Sequence, residues 1–544
     1  MVSKREWRWV LAVGAIALAL STAPYLLGLV LQTDERLFGG FVYAVEDGYS
    51  YLAKMRQGAE GAWLFHIAYT PEPHPGTLFF PFHLLLGKLA ALLPGADLTA
   101  RMVWTYHGAR LVFGMGLLLT LYRFLAAFTP DVVVRRLAFL LVTFGGGLGW
   151  LLVALGQPEW LDSLPLDFIL PEGFTFLVLY GFPHIGLART LLLGGILSLL
   201  KAWGIGPKSE ARNTRYALLA GLVWLAMGLT IPFYVLVAWA VAGAMWFALL
   251  LRGVPKGDPG GSPLRPIQAL WQTALAGLLS APIVAYSLWI FTTYPVYVTW
   301  AAQNRILSPH PLHYLAAFGV PLLLAASIAP RVWREEGPGW AALAWTAVVP
   351  VLVYLPFNLQ RRLVEGAQVP LGLLAARAAL EIPKPKTQSR SRLVAAGLLV
   401  ALLPTNLLLV AGNSLALLPR PAPVFRDAGE VAALDWLSEQ AHPGDVVLVA
   451  YGTGNYLPAR VGARAFVGHG PETVHFAEKR ALVAQFFTAT TDDAWRQRLL
   501  AEYGVDWVFW GPAERALGGF APPTAPYLRQ VYRGGEYEVF QTTR

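Results

Sequence analysis

Long apolar runs, each about the length of a bilayer-spanning helix, recur along most of this 544-residue chain. Roughly 20 consecutive apolar residues cross the hydrocarbon core as a helix. Runs of that kind fall at 8–31, 101–127, 137–156, 183–203, 216–232, 233–251, 267–290, 312–330, 339–357, 366–382 and 393–413. The pattern predicts a polytopic α-helical membrane protein with eleven spans, whose two ends lie on opposite sides. Segment 78–93 is also apolar, but it is short and carries Lys88, so it is read as an interfacial helix outside the membrane. The first run continues past Pro24 to Leu31, beyond a cleavage point near Ala23, and is read as a retained helix rather than a signal sequence.

Composition supports the membrane reading and charge orients it. Hydrophobic residues make up 56% of the chain and charged residues only 14%, where soluble domains carry about a quarter. The net charge of +9 is spread between apolar runs rather than gathered on one polar domain, so no nucleic-acid partner is expected. Lys and Arg accumulate on the cytoplasmic side of short loops. With the N-terminus inside, the inner segments hold nineteen such residues, among them Lys208, Arg212, Lys256, Arg265, Lys384, Lys386, Arg390 and Arg392. The outer loops hold seven: Arg36, Lys54, Arg56, Lys88, Arg305, Arg361 and Arg362. The expected location is therefore the cytoplasmic membrane, N-terminus inside and C-terminus outside. Cys is absent, which removes disulfides, thiolate metal sites and Cys nucleophiles together.

From about Pro423 charged residues rise, and helical patterns at 430–440, 474–487 and 492–502 alternate with strand patterns at 445–450 and 506–510. The expected organisation is a transmembrane domain, 1–422, and an extracytoplasmic α/β domain, 423–544, joined by a stiff linker containing Pro419, Pro421 and Pro423.

The first outer loop, 32–100, is much longer than a plain connection requires. Within it, 45–58 reads as a helix with Asp47, Tyr51 and Lys54 on one face and Val45, Tyr49, Leu52 and Met55 on the other. Such a helix lies along a membrane surface. Glu46 and Asp47 stand in its first turn, where the helix dipole favours ionised carboxylates. Acids are common at helix starts, so the pair is either a helix-starting device or a chemical site.

The acidic pair is followed by a basic amphipathic helix, Gly61-Ala62-Trp63-Leu64, and then a Pro-Gly-x-Leu-x-x-Pro segment. That order resembles the first outer loop of GT-C glycosyltransferases of the aminoarabinose transferase and protein O-mannosyltransferase type. The resemblance covers the first 130 residues, with a looser match of many spans followed by an outer domain. It implies sugar transfer from a polyprenyl-phosphate donor to an acceptor at the outer face. The acids here are Glu46-Asp47 rather than Asp-Glu, so either could be the base. Asp47 is favoured because it shares a face with Tyr51 and Lys54; Glu46 is the alternate.

An inverting transfer also needs a cationic site for the departing phosphate. Arg361 and Arg362 stand on the outer side against the charge rule, where a lipid phosphate or a headgroup anchor would explain them. Lys54 is a weaker candidate for the phosphate, with Arg305 and Lys88. The outer loop 157–173 carries Glu159, Asp162, Asp167 and Glu172 and no basic residue. In some GT-C enzymes acids there help bind a divalent metal ion or orient the acceptor, which the resemblance extends to Asp167 and Glu172. Plain solvation suffices for Glu159 and Asp162. His184 lies at the outer mouth of a span, where ionisable groups usually face a wet cavity or a partner. Trp300, Gln303 and Asn304 read either as an interfacial belt or as a sugar pocket. The Gly-rich segments 452–456 and 468–473 follow strands and are possible acceptor contacts, though neither is a phosphate-loop motif.

His66, His74 and His83 form no defensible ligand spacing, and metalloprotease, esterase and P-loop signatures are absent. Two rivals to the enzyme are a transporter or flippase of lipid-linked saccharides and a non-catalytic membrane scaffold. Transporters place binding charges near the membrane midplane, whereas this chain concentrates its acids in outer loops. A scaffold leaves Glu46, Asp47 and the Arg pair unexplained. The orientation is tested by reporter fusions: one after Arg544 should be exported and one near Lys208 should stay in the cytoplasm. Cytoplasmic activity of the C-terminal fusion would contradict the eleven-span topology.

Overall fold

A computed structural model describes residues 2–205, 213–252, 266–381 and 388–543, the side chains of 388–392 excepted. Of the inner-loop basic residues, Lys208, Arg212, Lys256, Arg265, Lys384 and Lys386, with the side chains of Arg390 and Arg392, lie outside the described residues. Among the described residues eight helices are long and apolar enough to cross a membrane: Lys4–Leu31, Leu98–Phe128, Pro183–Ala202, Tyr234–Arg252, Pro266–Thr293, Leu312–Arg334, Gln360–Glu381 and Leu393–Ala416. Thr214–Thr230 and Gly339–Leu352 are shorter apolar helices. The run at 137–156 is not one helix but two, Val132–Phe144 and Gly149–Ala154.

The chain forms two compact units. The first comprises 1–23, 109–288 and 305–412. The interruption at 145–148 belongs to it, and the sequence Gly145-Gly146-Gly147 explains the break, since glycine is a poor helix former. Backbone groups released at a break inside a buried region must find partners. Here they do: Asp167 Oδ2 accepts from the N–H of Gly147 at 2.9 Å and of Gly149 at 3.1 Å. Gln368 Nε2 donates to the carbonyl of Gly145 at 2.6 Å, and Asn406 Nδ2 to that of Phe144 at 2.7 Å. Gly146 N–H donates to the carbonyl of Leu402 at 2.6 Å.

The second unit comprises 24–108, 289–304 and 413–544, and so extends beyond the 423–544 domain expected from composition to take in the first outer loop. Two antiparallel strands make the join, β1 (Arg36–Phe38) and β2 (Phe425–Asp427). A five-stranded sheet follows, built from β3 (Val446–Leu448), β4 (Arg464–Ala465), β5 (Val505–Trp510), β6 (Leu528–Gly534) and β7 (Tyr537–Thr542) in the order β4-β3-β5-β7-β6. β3 runs parallel to β4 and β5, while β7 runs antiparallel to β5 and β6. One face of the sheet packs on a core that includes Phe466, Phe486, Phe487, Val508 and Phe540. The outer loop forms the helices Val45–Ala59 and Pro81–Ala91.

The caps at the broken helix make Asp167 a structural residue. Asp167→Ala strands two buried N–H groups and should cost about 2–5 kcal/mol, whereas Asp167→Asn, which keeps an acceptor oxygen, should cost less. Unfolding of the detergent-purified variants measures this. Wild-type stability in Asp167→Ala would contradict the capping role.

Candidate active site

The helix Val45–Ala59 carries the acidic pair in its first turn. Its apolar face is as expected: Tyr49, Leu52 and Met55 are fully buried. Its polar face is not a solvated one, because Lys54 is also buried. A buried ammonium needs a counter-charge and hydrogen bonds, and Glu472 supplies the first at 2.6 Å. Ser50 Oγ donates to the same carboxylate oxygen at 2.6 Å, and the aromatic ring of Phe80 lies 4.5 Å from Lys54 Nζ. Lys54 is thus committed to Glu472.

Glu472 lies 3.5 Å from Nδ1 of His469, whose Nε2 lies 3.2 Å from Oδ1 of Asp47. Lys54, Glu472, His469 and Asp47 form a chain of alternating charge. Side-chain exposure is 2% at Lys54, 6% at Glu472 and 7% at His469, but 43% at Asp47, so the chain opens to solvent at its Asp47 end. Burial alone would lower the His469 pKa; Asp47 and Glu472 outweigh it and raise it to about 9. Burial would likewise raise the Glu472 carboxyl, but Lys54 and His469 hold it down at about 2. Glu46 is engaged differently: the Tyr451 hydroxyl donates to it at 2.6 Å. Tyr51 lies in an aromatic stack, 4.8 Å from the ring of His83 and 5.9 Å from that of Tyr106.

The loop bearing His469 and Glu472 is closely held. Its own turn is closed by Glu472 N–H and Thr473 N–H, each donating to the His469 carbonyl at 2.9 Å. Gln303 Nε2 donates to the Thr473 carbonyl at 2.6 Å, Asn304 Nδ2 to that of Pro471 at 2.6 Å, and His475 N–H to Gln303 Oε1 at 3.2 Å. Both amides of the expected sugar pocket therefore grip the loop backbone. Trp300 packs among Phe79, Phe291 and Tyr297. The segment 452–456 is part of the helix Tyr451–Arg460 rather than an open turn. Its Gly454 has a structural reason: a Cβ there would stand 1.9 Å from the carbonyl oxygen of Val467, and one on Gly468 only 2.6 Å from that of Gly454.

In the first unit, Arg361 and Arg362 lie on a 3-10 turn, Gln360–Val364. Glu365, just beyond it, is fully buried and meets Arg189 through Nε at 2.5 Å and Nη2 at 3.0 Å. Arg189 Nη2 also donates to the carbonyls of Pro171 and Glu172, at 2.8 and 2.7 Å. This fork ties the Arg361–Arg362 turn to the 171–172 segment, and Arg362 Nε lies 3.6 Å from the Glu172 carboxylate. Arg361 and Arg362 are both half-buried. His184 is buried in the first turn of the helix Pro183–Ala202, edge-on to Phe182 at 6.0 Å.

A divalent metal does not fit the acids singled out for it. Asp167 caps a broken helix and Glu172 faces a guanidinium. Among the described residues no three His, Cys, Asp or Glu side chains form a group that could hold a metal ion. The sequence showed both glycine-rich loops, yet His469 and Glu472 lie 422 residues from Asp47 and Ser50, and no local pattern signals such a pairing.

No protein-family model matches the sequence, and no curated protein matches it. Solved structures do. The oligosaccharyltransferase AglB of Archaeoglobus fulgidus, in complex with an inhibitory peptide and a dolichol-phosphate, is 14% identical with a TM-score of 0.55, over 100% of this chain and 75% of AglB. The same protein in complex with Zn and sulfate is 15% identical with a TM-score of 0.54, over 97% and 73%. ArnT of Cupriavidus metallidurans bound to undecaprenyl phosphate is 14% identical with a TM-score of 0.51, over 98% of each chain. AglB and ArnT are membrane glycosyltransferases of the GT-C superfamily, and this chain has their fold.

Proposed function

We propose that the protein is a glycosyltransferase that moves a sugar from a polyprenyl-phosphate donor to an acceptor at the outer face of the cytoplasmic membrane. The observation that carries the proposal is the half-exposed carboxylate of Asp47 at the open end of a buried chain of charge. The fold shared with AglB and ArnT, solved with dolichol-phosphate and undecaprenyl phosphate respectively, supports a polyprenyl-phosphate donor. In the reaction Asp47 takes the proton of the acceptor nucleophile, whose lone pair forms the new bond to the anomeric carbon. The bond from that carbon to the phosphate oxygen breaks, and the polyprenyl phosphate leaves with the electron pair. A carboxylate suits the first task, since it accepts in the transition state a proton it does not hold in the ground state. Glu46 is the alternate: the Tyr451 hydroxyl donates to it at 2.6 Å, whereas Asp47 is the acid joined to the buried chain of charge.

Arg361 and Arg362 are proposed to bind the donor phosphate. Guanidinium forks match phosphate oxygens in paired hydrogen bonds, and the buried Arg189–Glu365 pair steadies the turn that carries them. The multi-pass chain is proposed to keep its N-terminus inside and the α/β domain outside. A transporter reading finds no comparable support: the best-organised charges are in the unit that contains the α/β domain.

Two measurements test these assignments. Release of undecaprenyl phosphate is followed from a panel of undecaprenyl-phosphate-linked monosaccharides, with cell membranes as acceptor. Asp47→Asn should lower turnover by roughly 10² to 10⁴ while the protein still folds. Full activity in Asp47→Asn with loss in Glu46→Gln would move the role by one residue; activity in both would overturn it. Binding of undecaprenyl phosphate to the purified protein should be lost in the Arg361→Ala/Arg362→Ala double variant and only partly restored by Lys at both positions. Equal affinity in wild type and double variant would contradict a phosphate site.

A further inference from the structure

We infer that His469 is a positioning residue for the transfer reaction, fixing the carboxylate of Asp47 in one orientation. The inference rests on the assignment of Asp47 as the base. Three observations carry it. The His469 ring is buried and reaches Asp47 Oδ1 at 3.2 Å with Nε2. Its other nitrogen lies 3.5 Å from the Glu472 carboxylate, at ion-pair distance, so an acid flanks the ring on each side. The loop that presents it is gripped by Gln303 and Asn304, which hold its backbone in place.

Glu472 is paired with Lys54 and accepts from Ser50, both on the same helix as Asp47, and the chain of charge ends on the most exposed of its four members. The charged groups that face the imidazole are Asp47 on the helix Val45–Ala59, with Lys54 behind Glu472, and Glu472 on its own loop. Tyr69 of the outer loop packs beside it at 5.8 Å between ring centres. With two carboxylates against it the ring is held protonated up to about pH 9.

The sign of the pH dependence follows. Below about pH 9 the imidazolium favours the ionised form of Asp47; as pH rises through that value the ring loses its proton and Asp47 loses its charged partner. A carboxylate stays ionised at that pH, so the alkaline limb expected near pH 9 in the wild type reports loss of the charge-assisted hydrogen bond that orients Asp47. Removing the cation should raise the Asp47 pKa and move the acid limb upward.

The experiment is the pH–rate profile of undecaprenyl phosphate release from whichever linked monosaccharide of the panel supports turnover. His469→Ala should lower kcat by roughly 10- to 100-fold with little change in KM, the cost of a misplaced catalytic group. His469→Gln keeps an N–H donor without the charge: it should recover part of kcat, lose the alkaline limb and show the acid limb displaced upward. Glu472→Gln should move the alkaline limb to lower pH. A His469→Gln enzyme with both limbs unchanged would overturn the inference, and it carries the test should His469→Ala fail to fold. Wild-type activity in Asp47→Asn would instead remove the base assignment, so the two failures are distinguishable.

Discussion

A buried ammonium on the first-loop helix depends on a carboxylate supplied from the far end of the chain. Lys54 is almost inaccessible to solvent, and Glu472 is its counter-charge at 2.6 Å. Breaking a buried ion pair by removing one partner costs about 3–5 kcal/mol, because the survivor is left uncompensated. The outer loop and the C-terminal domain are accordingly one unit: β1 pairs with β2 across the same junction, and Gln303 and Asn304 hold the loop that brings Glu472 into place. From that anchor the chain of charge runs through His469 to Asp47.

The parts legible in the sequence are those that depend on local pattern. Apolar runs of spanning length became helices, and the periodicity of 45–58 located the helix Val45–Ala59 with its acids in the first turn. The same rule failed at 137–156, where hydropathy sees an unbroken run but three glycines interrupt the helix and distant groups, Asp167 and Gln368, satisfy the freed backbone. The C-terminal hairpin β6–β7 has no clear strand signature, because its strands alternate polar and apolar residues weakly, with Arg529, Gln530, Arg533 and Glu538 among them.

The candidate site was half legible. Asp47, Glu46 and Lys54 announce themselves by their place in a long outer loop. His469 and Glu472 do not, since a single His and Glu in a glycine-rich loop are ordinary until a lysine more than four hundred residues away is seen to need them. Asp167, Gln303 and Asn304 are polar residues in suggestive places whose side chains are engaged with the backbone. Lys54, a candidate phosphate ligand by charge, is spent on Glu472. The Arg361–Arg362 turn belongs to the first unit, where the fully buried Arg189–Glu365 fork steadies it.

The central claim is that His469 is a protonated link between Glu472 and Asp47. It is tested most directly by ¹³C NMR of the full-length protein, labelled at the histidine ring, titrated in detergent from about pH 5 to 11, with His469→Gln identifying the resonance. The account predicts that His469 titrates near pH 9 and that Asp47→Asn moves its midpoint to lower pH. A midpoint at or below the ordinary histidine value of about 6.5, unmoved by Asp47→Asn, would contradict it.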